Sequence, residues 1–294
     1  MAQKAKSDYE LALNHQYITE HGRHPAVGVT TVINLLEKPA LKWGAARIAA
    51  KNAVLNSYHY SDLAEEIKLE LKRKKRKKIR NLDNEEIYWT DATDEEILIH
   101  YFRGSFQKEW DIKSDLGTRV HDHAENLSKG RTIMASEDVL GHLQAWQSWF
   151  DFYQPEFIHT ELVVLHPNPF NRIDLEYGGR FDWIARLHGG GSLWEGKVVL
   201  GDYKTGSYYP GGPAIQAAAY LTSKGMGIYD LAGNLIYIEP LPKIDAAMTL
   251  YLHSDGTYDA INPFNTDLTI DLATKAFFNL RSLYNFQKLV DKIS

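Results

Sequence analysis

A chain of 294 residues with 44% hydrophobic residues is long enough for one large domain, or for a catalytic domain with a smaller appendage, and its composition predicts a globular protein. The absence of cysteine excludes disulfides, thiolate zinc sites, cysteine-ligated iron–sulfur clusters and a cysteine nucleophile. Any metal must therefore be held by oxygen and imidazole ligands.

The formal net charge of −5 is unevenly distributed along the chain. Residues 72–80 hold eight of the 33 basic residues, which leaves 25 basic residues against 38 acidic ones in the rest of the chain. This asymmetry indicates a local patch that contacts phosphates on an otherwise acidic body, although a solvated helix end or loop explains it equally well.

The sequence carries no sign of membrane insertion. The first residues contain no apolar signal segment, and no stretch approaches the roughly 20 apolar residues that a membrane span requires. We therefore expect a protein of the cytoplasm.

The first 114 residues are predicted to form a helical N-terminal region. Its segments are a short helix capped by Thr30 or Thr31, an alanine-rich helix from about Pro39, an increasingly basic helix over 61–78, a loop over 81–91, and a helix that Thr93 caps and that runs to about His100. Residues 115–294 form the second predicted region.

In that second region, two helices precede a change to alternating hydrophobicity. Helices are predicted over 117–130, closed by Gly130, and over 136–153; strands over 157–166, 176–188 and 192–204; then a helix over 211–225, strands over 234–240 and 247–253, and a helix over 266–290. This order predicts an α/β (α+β) fold in which helices flank a mixed central sheet.

Asp202, Tyr203 and Lys204 form a D-x-K tripeptide at the end of a predicted strand. Alternate strand residues face the same side, so the Asp202 carboxylate and the Lys204 ammonium can share one site. A hard divalent cation could be held by Asp202, the backbone carbonyl of Tyr203, and Asp182 on the neighbouring predicted strand. Near that cation the ammonium form of Lys204 is disfavoured, so Lys204 could position the attacking water and take its proton. An exposed acid–lysine pair produces the same tripeptide, so the motif alone is weak evidence.

His121 and Glu125 lie four positions apart on a predicted helix and share one face, whereas His123 points elsewhere. A histidine and a carboxylate that project together are typical of a ligand pair. An isolated histidine more often packs at a helix boundary, and the joint spacing shifts the interpretation toward a site.

Gln216 and Tyr220 are again four positions apart on a predicted helix. This helix opens with Gly211 and Gly212, whose free amides could receive a phosphate. The alternative is that Tyr220 belongs to the core and that Gln216 is simply exposed.

In chain order these pieces form the series G-T-x-x-H-x-x-x-E, G-x-x-D, D-x-K-T-G and Q-x-x-x-Y, which resembles the motif series of RecB-like nucleases in the PD-(D/E)XK superfamily. The motif residues are Gly117, Thr118, His121, Glu125, Gly179, Asp182, Asp202, Lys204, Thr205, Gly206, Gln216 and Tyr220. The resemblance covers roughly residues 115–225, and the joint match is far more specific than any one piece.

The resemblance implies a nuclease core that needs Mg²⁺ or Mn²⁺ and lacks the iron–sulfur cluster of one branch of these nucleases. It implies metal ligands at His121, Asp182 and Asp202, catalysis by Lys204 with Glu125, and supporting or DNA-contacting roles for Thr205, Gln216 and Tyr220. Glu161, on the first predicted strand, is interpreted as a further acid behind the ligands. The basic residues expected to contact the DNA backbone are Lys72, Arg73, Lys74, Lys75, Arg76, Lys77 and Lys78.

The segment over 28–50 also resembles the opening of phage-encoded exonucleases of this group, a less specific similarity than the motif series. It implies a DNA exonuclease in phage recombination or DNA processing, in preference to a site-specific endonuclease. DNA is the implied partner, with a recombination or single-strand-binding protein and a second copy of the chain as further candidates.

Two other interpretations compete with the nuclease. The His121–Asp122 dipeptide resembles the HD-type phosphohydrolases, which are all-helical and would need further ligands, with His100 a strained candidate. A non-catalytic DNA-binding or assembly module could keep the nuclease fold, although it would not need the lysine and the ligands. Four tryptophans, Trp146, Trp149, Trp183 and Trp194, could stack on bases, but their spacing is more typical of core residues.

Overall fold

The computed structural model describes residues 6–13, 16–19, 26–36, 39–55, 59–80, 85–132, 134–167, 176–206 and 211–292. The chain forms two compact units: a small unit over Glu37–Leu116, and a large unit made of Met1–Leu36 together with Gly117–Ser294. The predicted division into a helical N-terminal region over 1–114 and a core over 115–294 stays a prediction.

The elements follow one another in this order: α1 (Asp8–Leu13), β1 (Val27–Gly28), α2 (Val29–Ile33), α3 (Pro39–Leu55), α4 (Tyr60–Arg73), β2 (Lys78–Arg80), β3 (Glu86–Tyr88), α5 (Asp94–Ser128), α6 (Glu137–Tyr153), β4 (Pro155–His166), β5 (Tyr177–Leu187), β6 (Val198–Lys204), α7 (Gly211–Leu221), β7 (Gly225–Tyr229), β8 (Leu235–Glu239), β9 (Ala246–Leu252), β10 (Tyr258–Ile261) and α8 (Ile270–Val290). Within the described residues, no helix is long and apolar enough to cross a membrane.

The large unit is built on an eight-stranded sheet with the order β10-β9-β6-β5-β4-β7-β8, and β1 also pairs with β5. Strands β4, β5 and β6 are antiparallel neighbours, as the predicted meander requires, whereas β6 pairs with β9 in parallel. The predicted mixed sheet flanked by helices is therefore confirmed. The sheet also rules out the all-helical architecture of the HD-type alternative.

Two helices of the large unit cover the sheet because their apolar residues recur at helical spacing. Ile215 and Ala219 of α7 and Phe277 of α8 join Phe181 and Leu200 of the sheet in one buried cluster. Burial of side chains of this size contributes about 1.5–3 kcal/mol each. This core fixes α7 close to the ends of β5 and β6.

The small unit has its own apolar cluster, in which Ile67 and Leu71 of α4 meet Ile79 of β2 and Ile97 of α5. The predicted cap at Thr93 is confirmed: Thr93 Oγ1 accepts from the Glu96 N–H at 3.2 Å, while the Glu96 carboxylate accepts from the Thr93 N–H at 2.9 Å. This reciprocal capping box satisfies N–H groups that the first helical turn leaves open.

The sequence predicted that helix α4 continues through the basic run to residue 78, and this prediction is wrong. The helix ends at Arg73, and Lys75 takes a left-handed φ of 54°. The Lys75 N–H donates to Lys72 O and the Arg76 N–H donates to Leu71 O, which is the hydrogen-bond pattern of a Schellman turn. The chain then enters a two-stranded hairpin formed by β2 and β3, part of which lies in the segment predicted as a loop.

Other predicted elements differ from the structure mainly at their ends. The two helices predicted over 93–100 and 117–130 are parts of one 35-residue helix, α5, and Gly130 follows its end with a φ of 68°. Gly28, not Thr30 or Thr31, occupies the N-cap of α2. The sequence pattern does not predict strands β7 and β10, because they are short and follow turn residues closely.

Gly201 of β6 is required by the tryptophan that lies across from it. The two residues pair between β5 and β6, and a Cβ atom on Gly201 would lie 1.9 Å from ring atoms of Trp183, whose side chain is fully buried. Only glycine leaves room for the indole ring at this point of the sheet.

We therefore predict that Gly201→Ala lowers the free energy of unfolding by about 1–3 kcal/mol or more, because the ring or the strand must move. Gly206→Ala is the control, since a Cβ atom there meets no atom within 4 Å and should change stability by less than about 0.5 kcal/mol. Urea unfolding followed by tryptophan fluorescence measures both. Equal stability of the two variants would contradict the packing argument.

Candidate metal centre

The candidate site lies where strands β5 and β6 separate. Their register ends at the Trp183–Gly201 pair, whereas β6 remains paired with β9 as far as Lys204. Beyond Gly201 the Asp182 carboxylate replaces the missing backbone partner, because its Oδ2 accepts from the Tyr203 N–H at 2.5 Å. Asp182 and Asp202 lie next to this last pair on the two strands, so the register brings their side chains into one site.

Lys204 and Asp202 form a close ion pair inside this gap. Burial lowers the pKa of Lys204, but the charges of Asp202 and Asp182 outweigh it and raise that pKa above its usual value. Burial and the neighbouring Asp182 raise the pKa of Asp202, although Lys204 opposes this shift. Asp202 Oδ2 is buried and lies against the Lys204 ammonium. Asp182 and Asp202 are therefore close enough to repel each other, with one ammonium paired to Asp202.

Helix α5 places His121 on the other side of Asp182. The His121 Nδ1 atom lies 3.4 Å from Asp182 Oδ2. Burial alone would lower the pKa of His121, but the charges of Asp182 and Asp202 raise it to about 8. The pKa of Asp182 is lowered, since the charge of His121 and the Tyr203 N–H outweigh the effect of burial. His121 is thus held by the carboxylate with which it was predicted to share a metal.

Glu161 of β4 completes the group, and sequence reasoning gave it only a supporting role. Its backbone has a φ of 53°, a left-handed conformation that is rare for a non-glycine residue and costs about 1–3 kcal/mol. Arg180 Nε lies 2.7 Å from its Oε2 atom, without the geometry of a hydrogen bond. Burial and the charge of Asp182 raise the pKa of the Glu161 carboxyl to about 8. Strain and desolvation at one carboxylate are typical of a functional position.

The donor atoms of His121, Glu161 and Asp182 fit a divalent cation. One ligand atom from each residue lies within 4.8 Å of the others, and opposite ligands of an octahedral Mg²⁺ site are about 4 Å apart. Carboxylate oxygens and one imidazole suit Mg²⁺ or Mn²⁺. This group contains two of the predicted ligands, His121 and Asp182, together with Glu161. Asp202 lies beside it in an ion pair with Lys204, and ligand roles for Asp202 and the Tyr203 carbonyl stay predictions.

Three predicted motif residues support the site from behind. The Gln216 Nε2 donates to Asp202 Oδ1 at 3.2 Å and to the Tyr220 hydroxyl at 3.0 Å. Tyr220 is only 2% exposed. Of the two roles that the resemblance implied for it, burial therefore favours support of Gln216 over contact with DNA. A Cβ atom on Gly179 would lie 2.5 Å from the Tyr220 ring, which explains the glycine of the G-x-x-D motif.

The start of the motif series lies against the end of β6. A Cβ atom on Gly117 would lie 3.2 Å from Thr205 Oγ1, so the glycine lets α5 approach the residue that follows Lys204. Thr205 is half-buried, and a DNA contact by it stays a prediction. The proposed phosphate site at the Gly211 and Gly212 amides also stays a prediction.

Glu125 is not brought to the ligand group in the way the sequence suggested. Its carboxylate forms an ion pair with Lys129, one turn further along α5. It does act at a distance, because its charge contributes to the raised pKa of Glu161. Its predicted catalytic role therefore has no direct contact to support it, since a closer cation already holds the carboxylate.

Aromatic residues form the floor beneath the site. Trp146, Trp149, Trp183 and Trp194 are at most 3% exposed, which confirms the core interpretation over base stacking. Trp146 Nε1 donates to the Tyr203 hydroxyl at 3.0 Å, and the Tyr203 ring meets the His121 ring edge-on at 5.8 Å. This packing fixes the strand segment that carries Asp202 and Lys204.

The place of Glu161 within its strand is a sequence signal that could have predicted a larger role for this residue. It is a charged residue within the apolar strand over 157–166, and charged residues are seldom buried without a partner. Its proximity to Asp182 depends on the register of β4 against β5, in which Thr160 pairs with Trp183 and Leu162 with Phe181. The sequence does not specify that register residue by residue.

Comparison of this chain with models of known protein families gives no match, and comparison with curated proteins gives none either.

The raised pKa of His121 predicts a pH-dependent contribution to the stability of the metal-free protein. A group with a folded pKa of about 8 and an unfolded value of 6.5 stabilises fully below pH 6.5, and this stabilisation is lost as the pH rises through about 8. The stability advantage of the native protein over His121→Gln should therefore shrink by about 2 kcal/mol between pH 6 and pH 9. Urea unfolding in EDTA measures it, and a constant difference would contradict the ion pair with Asp182.

Removing the charge of Glu161 tests the ligand group directly. We predict that Glu161→Gln weakens Mn²⁺ binding at least about tenfold, because an amide oxygen is a poorer ligand for a hard cation than a carboxylate. Glu156→Gln, on the same strand but at an exposed carboxylate, should leave the affinity unchanged. Isothermal titration calorimetry of both variants decides the matter. Equal affinities would exclude Glu161 from the ligands.

Proposed function

We propose that this protein is a divalent-metal-dependent DNA nuclease of the PD-(D/E)XK type that hydrolyses phosphodiester bonds. The observation that carries the proposal is the convergence of His121, Asp182, Asp202 and Lys204 where β5 and β6 separate. These residues come from three elements and are distant in sequence. Their convergence supports the motif series as one site.

The combination of ligands with a lysine favours hydrolysis over binding alone. A structural cation site needs its carboxylates and its imidazole, but not a buried ammonium beside them. A phosphodiester reaction uses both, because a negatively charged phosphate must enter a site full of carboxylates. DNA as the substrate, and an exonuclease in preference to a site-specific endonuclease, are proposed from the family resemblance alone.

Each residue has a definable task in this proposal. Asp182 and Asp202, with His121 and Glu161, would hold Mg²⁺ or Mn²⁺, which when bound supplies a Lewis acid for the phosphate and lowers the pKa of a water. The raised pKa of Lys204 keeps it an ammonium near neutral pH in the metal-free protein, so it can donate to a phosphate oxygen or hold the attacking water. Proton abstraction by Lys204 would require the lowered pKa expected beside a cation.

Gln216 orients the site without taking part in bond cleavage. It fixes one oxygen of Asp202 and is itself held by Tyr220. The opposite side of Asp202 is held by Lys204. Both oxygens of Asp202 therefore have protein partners that orient the carboxylate before a cation binds. A catalytic ligand requires this preorganisation.

Lys204→Ala is the decisive variant. We predict metal-dependent shortening of end-labelled linear DNA by the native protein with Mg²⁺ or Mn²⁺, and no cleavage in EDTA. The variant should lose at least about 100-fold in rate, because this is the usual cost of removing one donor to the negative charge that develops in the transition state. A closed DNA circle run in parallel distinguishes an exonuclease from an endonuclease, and the label position gives the polarity.

Lys243→Ala is the matched control, since Lys243 is 92% exposed in the same unit and should be dispensable. Equal activity of the Lys204→Ala variant and the native protein would mean a contaminating nuclease or a wrong site. Binding of DNA without cleavage by the native protein would favour the non-catalytic module instead.

A further inference from the structure

The small unit contains a large open cavity between helices α4 and α5. Its volume is about 1100 Å³, and residues from α3 and β2 also contribute to its wall. Pockets for a single small molecule are usually about 300–1,000 Å³. The cavity can therefore accept more than one compact ligand group, or a segment of an extended chain.

Basic side chains from three parts of the chain line this cavity. They are Lys74 and Arg76 at the end of α4, Arg80 of β2, and Arg103 and Lys108 of α5. Only three of these belong to the basic run. The arginine and the lysine of α5 do not stand out in the sequence, because they become neighbours of the run only when α5 packs on α4 through Ile97 and Ile67.

Basic residues outnumber acidic ones at the cavity. Glu70 is paired with Lys74 at 2.5 Å, and Asp111 accepts from the Gln107 side chain at 2.7 Å. The lining holds five basic residues against three acidic ones, the third acid being Glu109. Burial lowers the pKa of His100, and the nearby charges of Arg76 and Arg103 lower it further.

The rim of the cavity is held in place by the fold. The Arg76 N–H donates to Leu71 O at 3.0 Å, and Trp89 Nε1 donates to Arg76 O at 2.8 Å. The Arg76 N–H is therefore bound within the Schellman turn, and the Arg76 carbonyl is bound by Trp89, the residue that follows strand β3. The position of the Arg76 backbone at the rim is therefore set before any ligand binds.

Gly104 is a second observation that points to a ligand. It lies inside α5 on the face formed by His100, Arg103, Gln107 and Asp111, all of which line the cavity. Glycine is among the least favourable residues in a helix interior, and a Cβ atom here would meet nothing within 4 Å. The glycine is thus not required by packing, and it leaves the helix backbone accessible from the cavity.

Tyr101 gives the cavity an aromatic wall. Its side chain is 39% exposed and its ring rests edge-on against Phe102, with ring centroids 5.5 Å apart. Grooves that combine basic side chains with exposed aromatic rings are typical of sites for single-stranded nucleic acid, because phosphates bind the cations and unpaired bases stack on the rings. The bases of a duplex are already stacked and cannot reach such a ring.

We propose that this cavity binds a segment of single-stranded DNA, with its phosphates at Arg76, Arg80 and Arg103 and a base against Tyr101. The choice of DNA rests on the proposed function, whereas the site itself does not depend on the metal centre. Five basic residues of the run are not among those that line the cavity, and they contribute only general attraction to phosphates. They are Lys72, Arg73, Lys75, Lys77 and Lys78.

The test is fluorescence anisotropy of a labelled oligothymidylate with the full chain in EDTA, over a series of salt concentrations. The variant Arg76→Gln/Arg103→Gln should bind at least about tenfold more weakly, and its salt slope should fall by about 0.7 for each phosphate that the protein no longer neutralises. Lys72→Gln/Lys77→Gln removes the same charge outside the cavity and should weaken binding by less than about threefold. Equal losses of affinity in the two double variants would overturn the proposal.

Gly104→Leu tests the cavity without removing any charge. Leucine favours a helix and fills open space, so the variant should melt no lower than the native protein while it binds the oligonucleotide at least about tenfold more weakly. Gly104→Ala is the smaller control and should retain most of the binding. Undiminished binding by a folded Gly104→Leu variant, or duplex DNA bound as tightly as the single strand, would overturn the proposal.

The same samples separate this inference from the proposed function. If the native protein binds the strand through the cavity but cuts nothing with Mn²⁺, the nuclease proposal fails and the binding site stands. If it cuts DNA while the cavity variants bind normally, the nuclease proposal stands and the binding site fails.

Discussion

The separation of β5 from β6 beyond Gly201 is the constraint on which the candidate site depends. Trp183 fills the space that a side chain at Gly201 would occupy, and beyond this pair the ladder gives way to the bond between the Tyr203 N–H and Asp182. A regular ladder would have paired the Tyr203 N–H with a backbone carbonyl instead of the Asp182 carboxylate. The separation instead creates a buried gap in which a histidine, two aspartates and a lysine meet.

Electrostatic repulsion in that gap explains its other features. Glu161, Asp182 and Asp202 are mostly removed from water and lie close to one another, beside Lys204, His121 and Arg180. The pKa values of Glu161 and Asp202 are raised as a result, whereas that of Asp182 is lowered because it has the closest cationic and N–H partners. A divalent cation would relieve this repulsion, which makes the geometry understandable as a ligand set.

The small unit has the opposite character, since its cavity gathers positive charge. The Schellman turn at Lys75 reverses the basic run, so that Arg76 and Arg80 return toward α5 and meet Arg103. Basic residues that are contiguous in sequence are therefore divided between a cavity wall and a solvated surface. The division follows from backbone geometry, not from the count of charges.

The sequence by itself determined the mixed fold, the β4–β5–β6 meander, the core role of the tryptophans and the set of residues around Asp202, because hydrophobic period and motif spacing are local properties. Only the tertiary structure decided that Glu161 reaches Asp182, that Tyr220 is buried, and that Arg103 joins the basic run. These contacts depend on strand register and on helix packing. Both are set by side chains far apart in the chain, so neither can be read from spacing.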